Sequence, residues 1–157
     1  MTWQTFAAAA PDMAAFGKEE FEGRRVAVIG TIRRDGSPRI SCIEPYIVDG
    51  ILYLGMMWQS RKVLDLLRDP RIVLRNAICT NTGDEVEFSV RGRAEEIRDL
   101  GVRRRYVEAL AERVSWKEPH FHLFAVDIES ASLVRYGRGE QTVKLWPQER
   151  EFTRPYG

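Results

Sequence analysis

The part of the chain best equipped for chemistry is Trp58-Gln59-Ser60-Arg61-Lys62, where a strand-like stretch gives way to a helical one. A serine suits the N-cap of a helix, because its hydroxyl can accept a hydrogen bond from an amide that the first turn leaves unpaired. Arg61 and Lys62 then fall in the first turn, beside the positive end of the helix dipole. Each cation there is unfavourable by about 0.3–1 kcal/mol, and a sequence shaped for stability alone would carry Asp or Glu instead. An anion at the helix start removes the conflict. Free amides, a hydroxyl, a guanidinium fork and an ammonium would then converge on one phosphate. The plainer reading sends both long side chains into solvent, where the penalty is small, and spacing alone leaves both open.

Other candidates carry less. His120 and His122 flank Phe121 and would share a face on a strand. No recognisable set of further ligands lies nearby for a metal or haem, so they read as partly exposed or hydrogen-bonded, and no metal site is expected. Cys42 and Cys79 have no CxxC spacing and read as reduced thiols, Cys42 as a small apolar filler. Arg103-Arg104-Arg105 sits on a helical stretch among Asp99, Glu108 and Glu112, which suits a solvated, salt-bridged face. Gly137-Arg138-Gly139-Glu140 lacks the strand–turn–helix setting of a dinucleotide loop and reads as a hairpin turn. Trp58, Trp116 and Trp146 suit a core or an interface, with Trp58 at the border of the phosphate motif. No residue is assigned as a catalytic acid, base or nucleophile.

The elements that must position this motif are mostly strands. Pro11 to Glu22 suggests a short amphipathic helix, started by Pro11 in its first turn. Arg25 to Ile32 is β-branched and apolar on both faces, as inside a barrel. Asp35-Gly36-Ser37-Pro38 turns the chain into a second strand, Arg39 to Val48, and Asp49-Gly50 makes a hairpin into a third, Ile51 to Met57. These three adjacent segments predict an antiparallel meander. Ser60 to Arg68 carries Val63, Leu64, Leu66 and Leu67 as a helical stripe that Asp69-Pro70 stops. Strands follow at Arg71 to Ala77 and Glu85 to Ile97. A helix then carries Leu100, Val107, Leu110, Ala111 and Val114, and after Pro119 strands come at Phe121 to Val134 and Thr142 to Trp146. Six or seven strands with three short helices predict a mainly β, antiparallel barrel.

A chain of 157 residues suits one domain, 1–157. A net charge of +1 gives no broad field for nucleic acid or anionic lipid, so neither is expected as a partner. No apolar stretch reaches the roughly 18 residues of a membrane helix. The alanine run Ala7 to Ala10 has no basic residue before it and is interrupted by Pro11-Asp12, so it does not read as a signal peptide and a cytoplasmic location is expected. Strands apolar on both faces leave surplus surface that a second subunit would cover, which predicts a homodimer.

Several motifs, in order, resemble the pyridoxamine 5′-phosphate oxidase-like family. These are Gly36-Ser37-Pro38-Arg39, the Asp49-Gly50 hairpin, Ser60-Arg61-Lys62 followed by Leu66-Leu67 and Asp69-Pro70-Arg71, and Gly92-Arg93-Ala94-Glu95. They span roughly residues 24 to 97. The resemblance implies a homodimeric split β-barrel that binds FMN in a cleft between subunits and acts as an oxidoreductase on a small molecule. It implies that Ser60, Arg61 and Lys62 grip the flavin phosphate. It further implies that Arg39, Ile40, Ser41, Cys42 and Ile43 run along the ring, and that Met56 and Met57 lie near the ribityl chain. Relatives with this pattern also bind the deazaflavin coenzyme, and a non-catalytic ligand-binding barrel is a further alternative. Three features of the enzyme that makes pyridoxal phosphate are replaced or absent. Glu44 stands for its lysine, Glu87 for its glutamine, and its C-terminal Arg-x-His has no counterpart. Pyridoxamine phosphate oxidation is therefore not carried over.

Overall fold

The computed structural model describes residues 1–111, 113 and 120–155. Glu112, Val114, Trp116 and Pro119, named above, lie outside the described residues. Helices α1 (Trp3–Ala9) and α2 (Pro11–Arg24) open the chain. Strands β1 (Ala27–Ile32), β2 (Pro38–Ile43), β3 (Pro45–Val48) and β4 (Ile51–Met57) follow, then helix α3 (Arg61–Arg68). Strands β5 (Arg71–Asn76) and β6 (Val86–Glu96) lead to helix α4 (Leu100–Leu110), and β7 (Phe121–Gly137), β8 (Glu140–Trp146) and β9 (Arg150–Pro155) close it. No helix among the described residues is long and apolar enough to cross a membrane.

All pairings are antiparallel, and the strand order is β2-β1-β5-β6-β7-β4-β3, with β8 on β7 and β9 on β8. This corrects two expectations. Among the described residues there are nine strands and four helices, because α1 and β9 add to the predicted set and one predicted strand is divided. The predicted second strand is two: Pro45 follows Glu44 at the break, and β2 and β3 lie at opposite ends of the strand order. A proline cannot donate to a ladder and restricts the residue before it, so the chain bends there and leaves the first pair of strands for a distant partner. The first three strands are therefore not a meander.

Local chemistry explains the turns that were predicted. Asp35 Oδ1 accepts from the Ser37 amide at 3.0 Å and its hydroxyl at 2.7 Å, fixing the β1–β2 turn. Asp49 and Gly50 both take positive φ, 49° and 73°, as a tight hairpin requires. Gly92 sits where β6 and β7 slip register, and a Cβ there would lie 2.0 Å from the Asp127 carbonyl oxygen, so only glycine fits.

The core lies between the sheet and α1–α2, where Trp3, Phe6, Phe21 and Trp146 gather around Phe88 or one another with ring centroids 5.1–6.4 Å apart. Fully burying one such ring contributes roughly 1.5–3 kcal/mol. Helix α4 covers a second cluster in which Tyr46, Tyr53, Tyr106, Leu110, Phe121 and Leu123 are buried. Burial pushes the Tyr106 phenol far above its ordinary range. The predicted solvated face at Arg103 is also corrected. Arg103 donates to the carbonyls of Ile97 and Phe121 and lies 4.3 Å above the Phe121 ring, so it ties α4 to β7. Arg104 and Arg105 are exposed as expected.

Candidate functional site

Helix α3 is amphipathic, and its position follows from which side chains it buries. Val63 and Leu66 enter the core, and with them goes Asp65, only 4% exposed. A carboxylate at that depth must be paired. Asp65 accepts from the Thr31 hydroxyl at 2.9 Å, Arg39 Nε at 2.6 Å and Arg68 Nη2 at 3.4 Å, and Arg68 also donates to the Ile32 carbonyl. Burial is the largest influence on Asp65 and opposes its charge. The hydrogen bonds from Arg39 and Thr31, with the Arg39 charge and Arg68, outweigh it together and hold the carboxyl below its ordinary range. This buried group clamps α3 across β1 and β2.

Gln59, at φ 55°, turns β4 into α3. Ser60 occupies the N-cap position with extended backbone, but its hydroxyl makes no capping bond. Instead Ser60 Oγ is buried and has no hydrogen-bond partner among the described residues. No acidic residue lies in the first turn of α3. An unpaired buried hydroxyl costs about 1–3 kcal/mol, so the first turn is left with an unmet polar group and a cation at the positive end of the dipole.

The basic pair diverges. Arg61 is exposed and lines a cleft of about 590 Å³ between α3 and the β1–β2 turn, with Arg33, Arg34, Asp35, Arg39, Leu64, Asp65 and Arg68. Lys62 points the other way, its Nζ donating to the Cys42 carbonyl at 2.6 Å. Burial lowers the Lys62 pKa, with Cys42 and Glu44 opposing that shift. The other predicted contacts divide as well. On β2, Arg39, Ser41 and Ile43 face one side, while Ile40, 76% exposed, and Cys42 face the other. Cys42 is exposed, which corrects its reading as an apolar filler. Met56 is 2% exposed inside the core, and Met57 is 64% exposed beside the motif. Thus Arg39 and Arg61 share one cleft, Lys62 and Cys42 meet at a backbone contact, and Met56 stands apart from them.

One cluster was not foreseen. Trp58 stacks on His122 with ring centroids 4.3 Å apart and planes 11° from parallel. His122 is buried, and its Nδ1 lies 2.7 Å from Glu96 Oε1. Burial is again the largest influence on Glu96, yet hydrogen bonds from His122 and Arg98 and their charges hold its carboxyl below the ordinary range. An ionised carboxylate only accepts, so Nδ1 carries the proton. His122 Nε2 is the second buried polar side-chain atom without a partner among the described residues. The i, i+2 histidine spacing was visible in the sequence, but Glu96 reaches His122 through the β6–β7 pairing, which no local signal announces. His120 is exposed, 6.4 Å from the Trp58 ring. No group of three or more metal-ligating side chains occurs among the described residues.

Comparison with known proteins places these observations. The pyridoxamine 5′-phosphate oxidase family matches residues 14–135. No curated protein matches the sequence. Among solved structures, an FAD-binding protein from Mesorhizobium loti is 22% identical over 80% of this chain and 94% of its own, with a TM-score of 0.62. A conserved hypothetical protein from Mycobacterium tuberculosis is 18% identical over 74% of this chain and 81% of its own, TM-score 0.63. The haem storage protein HutZ of Vibrio cholerae is 15% identical over 77% of this chain and 90% of its own, TM-score 0.63. Likeness at these identities shows the fold, a split barrel built on an antiparallel sheet.

Proposed function

The chain belongs to the pyridoxamine 5′-phosphate oxidase family, and we propose that it is an FMN-binding oxidoreductase acting on a small molecule, with the flavin phosphate at the start of α3. The observation that carries this reading is Ser60: a buried hydroxyl without a partner, next to Arg61, in a first turn that holds no acidic residue. A phosphate meets all three conditions at once, accepting from the hydroxyl and the turn's free amides and pairing with the guanidinium. Arg39 approaches the same cleft from β2, held by Asp65. The fit of Lys62 is conditional, since its ammonium would have to exchange the Cys42 carbonyl for a phosphate oxygen.

A bound flavin would supply the redox chemistry itself, so the absence of an assigned acid or base is compatible with catalysis. The chain's own work is to hold the phosphate, orient the ring along β2 and exclude water. Ser41 and the β2 backbone would meet the ring, and Met57 would lie near the ribityl chain.

The same reading takes the protein as a homodimer. The register sets Ile40, Gly30 and Val73 side by side across β2, β1 and β5, on the face opposite the core residues Ile29, Thr31 and Leu74. Ile40 and Val73 are exposed, and a second copy is the partner that would bury them.

The experiment is a titration of the protein with FMN and, in parallel, the deazaflavin coenzyme, followed by absorbance and protein fluorescence. Saturable binding of FMN at about one per subunit supports the reading. Saturation by the deazaflavin alone would transfer it to that coenzyme. Binding of neither would leave a non-catalytic barrel for another ligand.

A further inference from the structure

The cleft beside α3 is larger and more basic than one phosphate requires. Five guanidinium groups, of Arg33, Arg34, Arg39, Arg61 and Arg68, face two carboxylates, Asp35 and Asp65, which leaves an excess of three positive charges. Its volume of about 590 Å³ falls in the range of small-molecule sites, roughly 300–1,000 Å³.

The arginines are not equivalent. Arg39 and Arg68 are committed to Asp65, and Arg68 also holds the Ile32 carbonyl. Arg33 spends one nitrogen on the Ser37 hydroxyl at 3.2 Å. Asp35 is turned into its own loop by the bonds from Ser37. No side-chain hydrogen bond or ion pair ties the guanidinium of Arg34 or Arg61 to another described residue. The cleft therefore has a fixed basic floor, Arg39 with Asp65, and uncommitted guanidinium donors on both walls: Arg33 and Arg34 from the β1–β2 turn, Arg61 from α3. Cations grouped this way repel one another, and the charges within the cleft do not cancel that repulsion.

We propose that this cleft is a diphosphate site, with Arg61 holding one phosphate and Arg33 and Arg34 the other. A single phosphate ester brings about 1.5–2 negative charges and leaves part of the excess standing. A terminal diphosphate carries about one charge more and covers the excess, and two linked phosphates of either kind reach both walls, where planar guanidinium forks can each take a pair of oxygens. The wider molecule carries only a net charge of +1, so the recognition is local to a small anionic group and does not extend to a nucleic-acid track. Two sources carry two linked phosphates: the terminal diphosphate of a separate adenine nucleotide, which supplies that charge, or the internal diphosphate of a flavin dinucleotide, which spans both walls with no more charge than a single phosphate ester and is continuous with the flavin phosphate proposed above.

Calorimetric titration of the protein with inorganic pyrophosphate, inorganic phosphate and ADP tests the proposal without requiring any flavin. Pyrophosphate and ADP should bind more tightly than phosphate. The Arg33→Gln/Arg34→Gln double variant, whose changes lie in an exposed turn, should lose roughly tenfold or more of pyrophosphate affinity while keeping the parent's circular dichroism. Equal affinity for phosphate and pyrophosphate, or a double variant that binds pyrophosphate like the parent, overturns it. The source is read on FMN-saturated protein. If ADP still binds, the diphosphate belongs to a separate nucleotide. If ADP and FMN exclude each other and FAD binds more tightly than FMN, it belongs to the cofactor. A protein that binds pyrophosphate but no flavin refutes the functional reading and leaves this site standing.

Discussion

Asp65→Asn removes one negative charge and changes almost no volume, so it isolates what the buried carboxylate does. In the parent, Asp65 anchors Thr31, Arg39 and Arg68 and joins α3 to β1 and β2. Removing one member of a fully buried pair costs about 3–5 kcal/mol. Here the side chains of Arg39 and Arg68 are 23% and 38% exposed, so water recovers part of that loss. A cost of about 2–3 kcal/mol follows, and for a chain of this size each kcal/mol lowers Tm by about 2–4 °C, giving a fall of roughly 4–12 °C. The pH dependence has a definite sign. The folded-state pKa of Asp65 is depressed, so its stabilisation is present above the unfolded value, about 3.9, and is lost as pH falls through the lower folded value. Urea denaturation of parent and variant from pH 7 down to pH 3 should show a gap that is constant near neutrality and narrows at the acid end. A variant as stable as the parent at pH 7, or a gap that widens in acid, would refute the clamp.

Ile40→Asp should convert a dimer into a monomer by light scattering without unfolding it, because the side chain is 76% exposed on the single chain; an unchanged mass would remove that face from the interface. Gly92→Ala should destabilise by about 1–3 kcal/mol or more, since the added Cβ meets backbone that cannot rotate away; a neutral effect in thermal melts would mean that the β6–β7 slip can relax. Glu96→Gln should weaken the hold on His122 and loosen its stack with Trp58, read as a change in tryptophan fluorescence; an unaltered spectrum would show that packing alone fixes the ring.

Elements whose signals are local were legible in the sequence. The β-branched run at Val26 to Ile32, the Asp49-Gly50 hairpin, and the stripe of α3 stopped by Asp69-Pro70 all describe what neighbouring residues do to one another. What escaped depends on distance along the chain. Glu44-Pro45 looks like the interior of one strand, and only the pairing of β2 with β1 and of β3 with β4 separates the two halves. The alanine run of α1 carries little pattern of its own and becomes a helix because Trp3 and Phe6 find Phe21, Phe88 and Trp146. At the site, the motif Ser60-Arg61-Lys62 was found by its conflict with the dipole. Adjacent residues on a helix do not face each other, and that is why Arg61 and Lys62 part company, one into the arginine cleft and one toward β2. Arg39 was named only through the family resemblance, and Asp65, Arg33, Arg34 and Arg68 gave no sequence signal, because their meeting is made by the packing of α3 on the β1–β2 hairpin.

The most direct test of a phosphate at the start of α3 compares FMN with riboflavin on the parent and on Arg61→Gln. Losing a charge-assisted hydrogen bond costs about 1.5–3 kcal/mol, which is roughly a ten- to hundredfold change in affinity. The parent should bind FMN more tightly than riboflavin, and the variant should lose that much FMN affinity while its riboflavin affinity stays close to the parent's. Equal binding of the two flavins by the parent, or an Arg61→Gln variant that binds FMN as the parent does, would contradict the assignment.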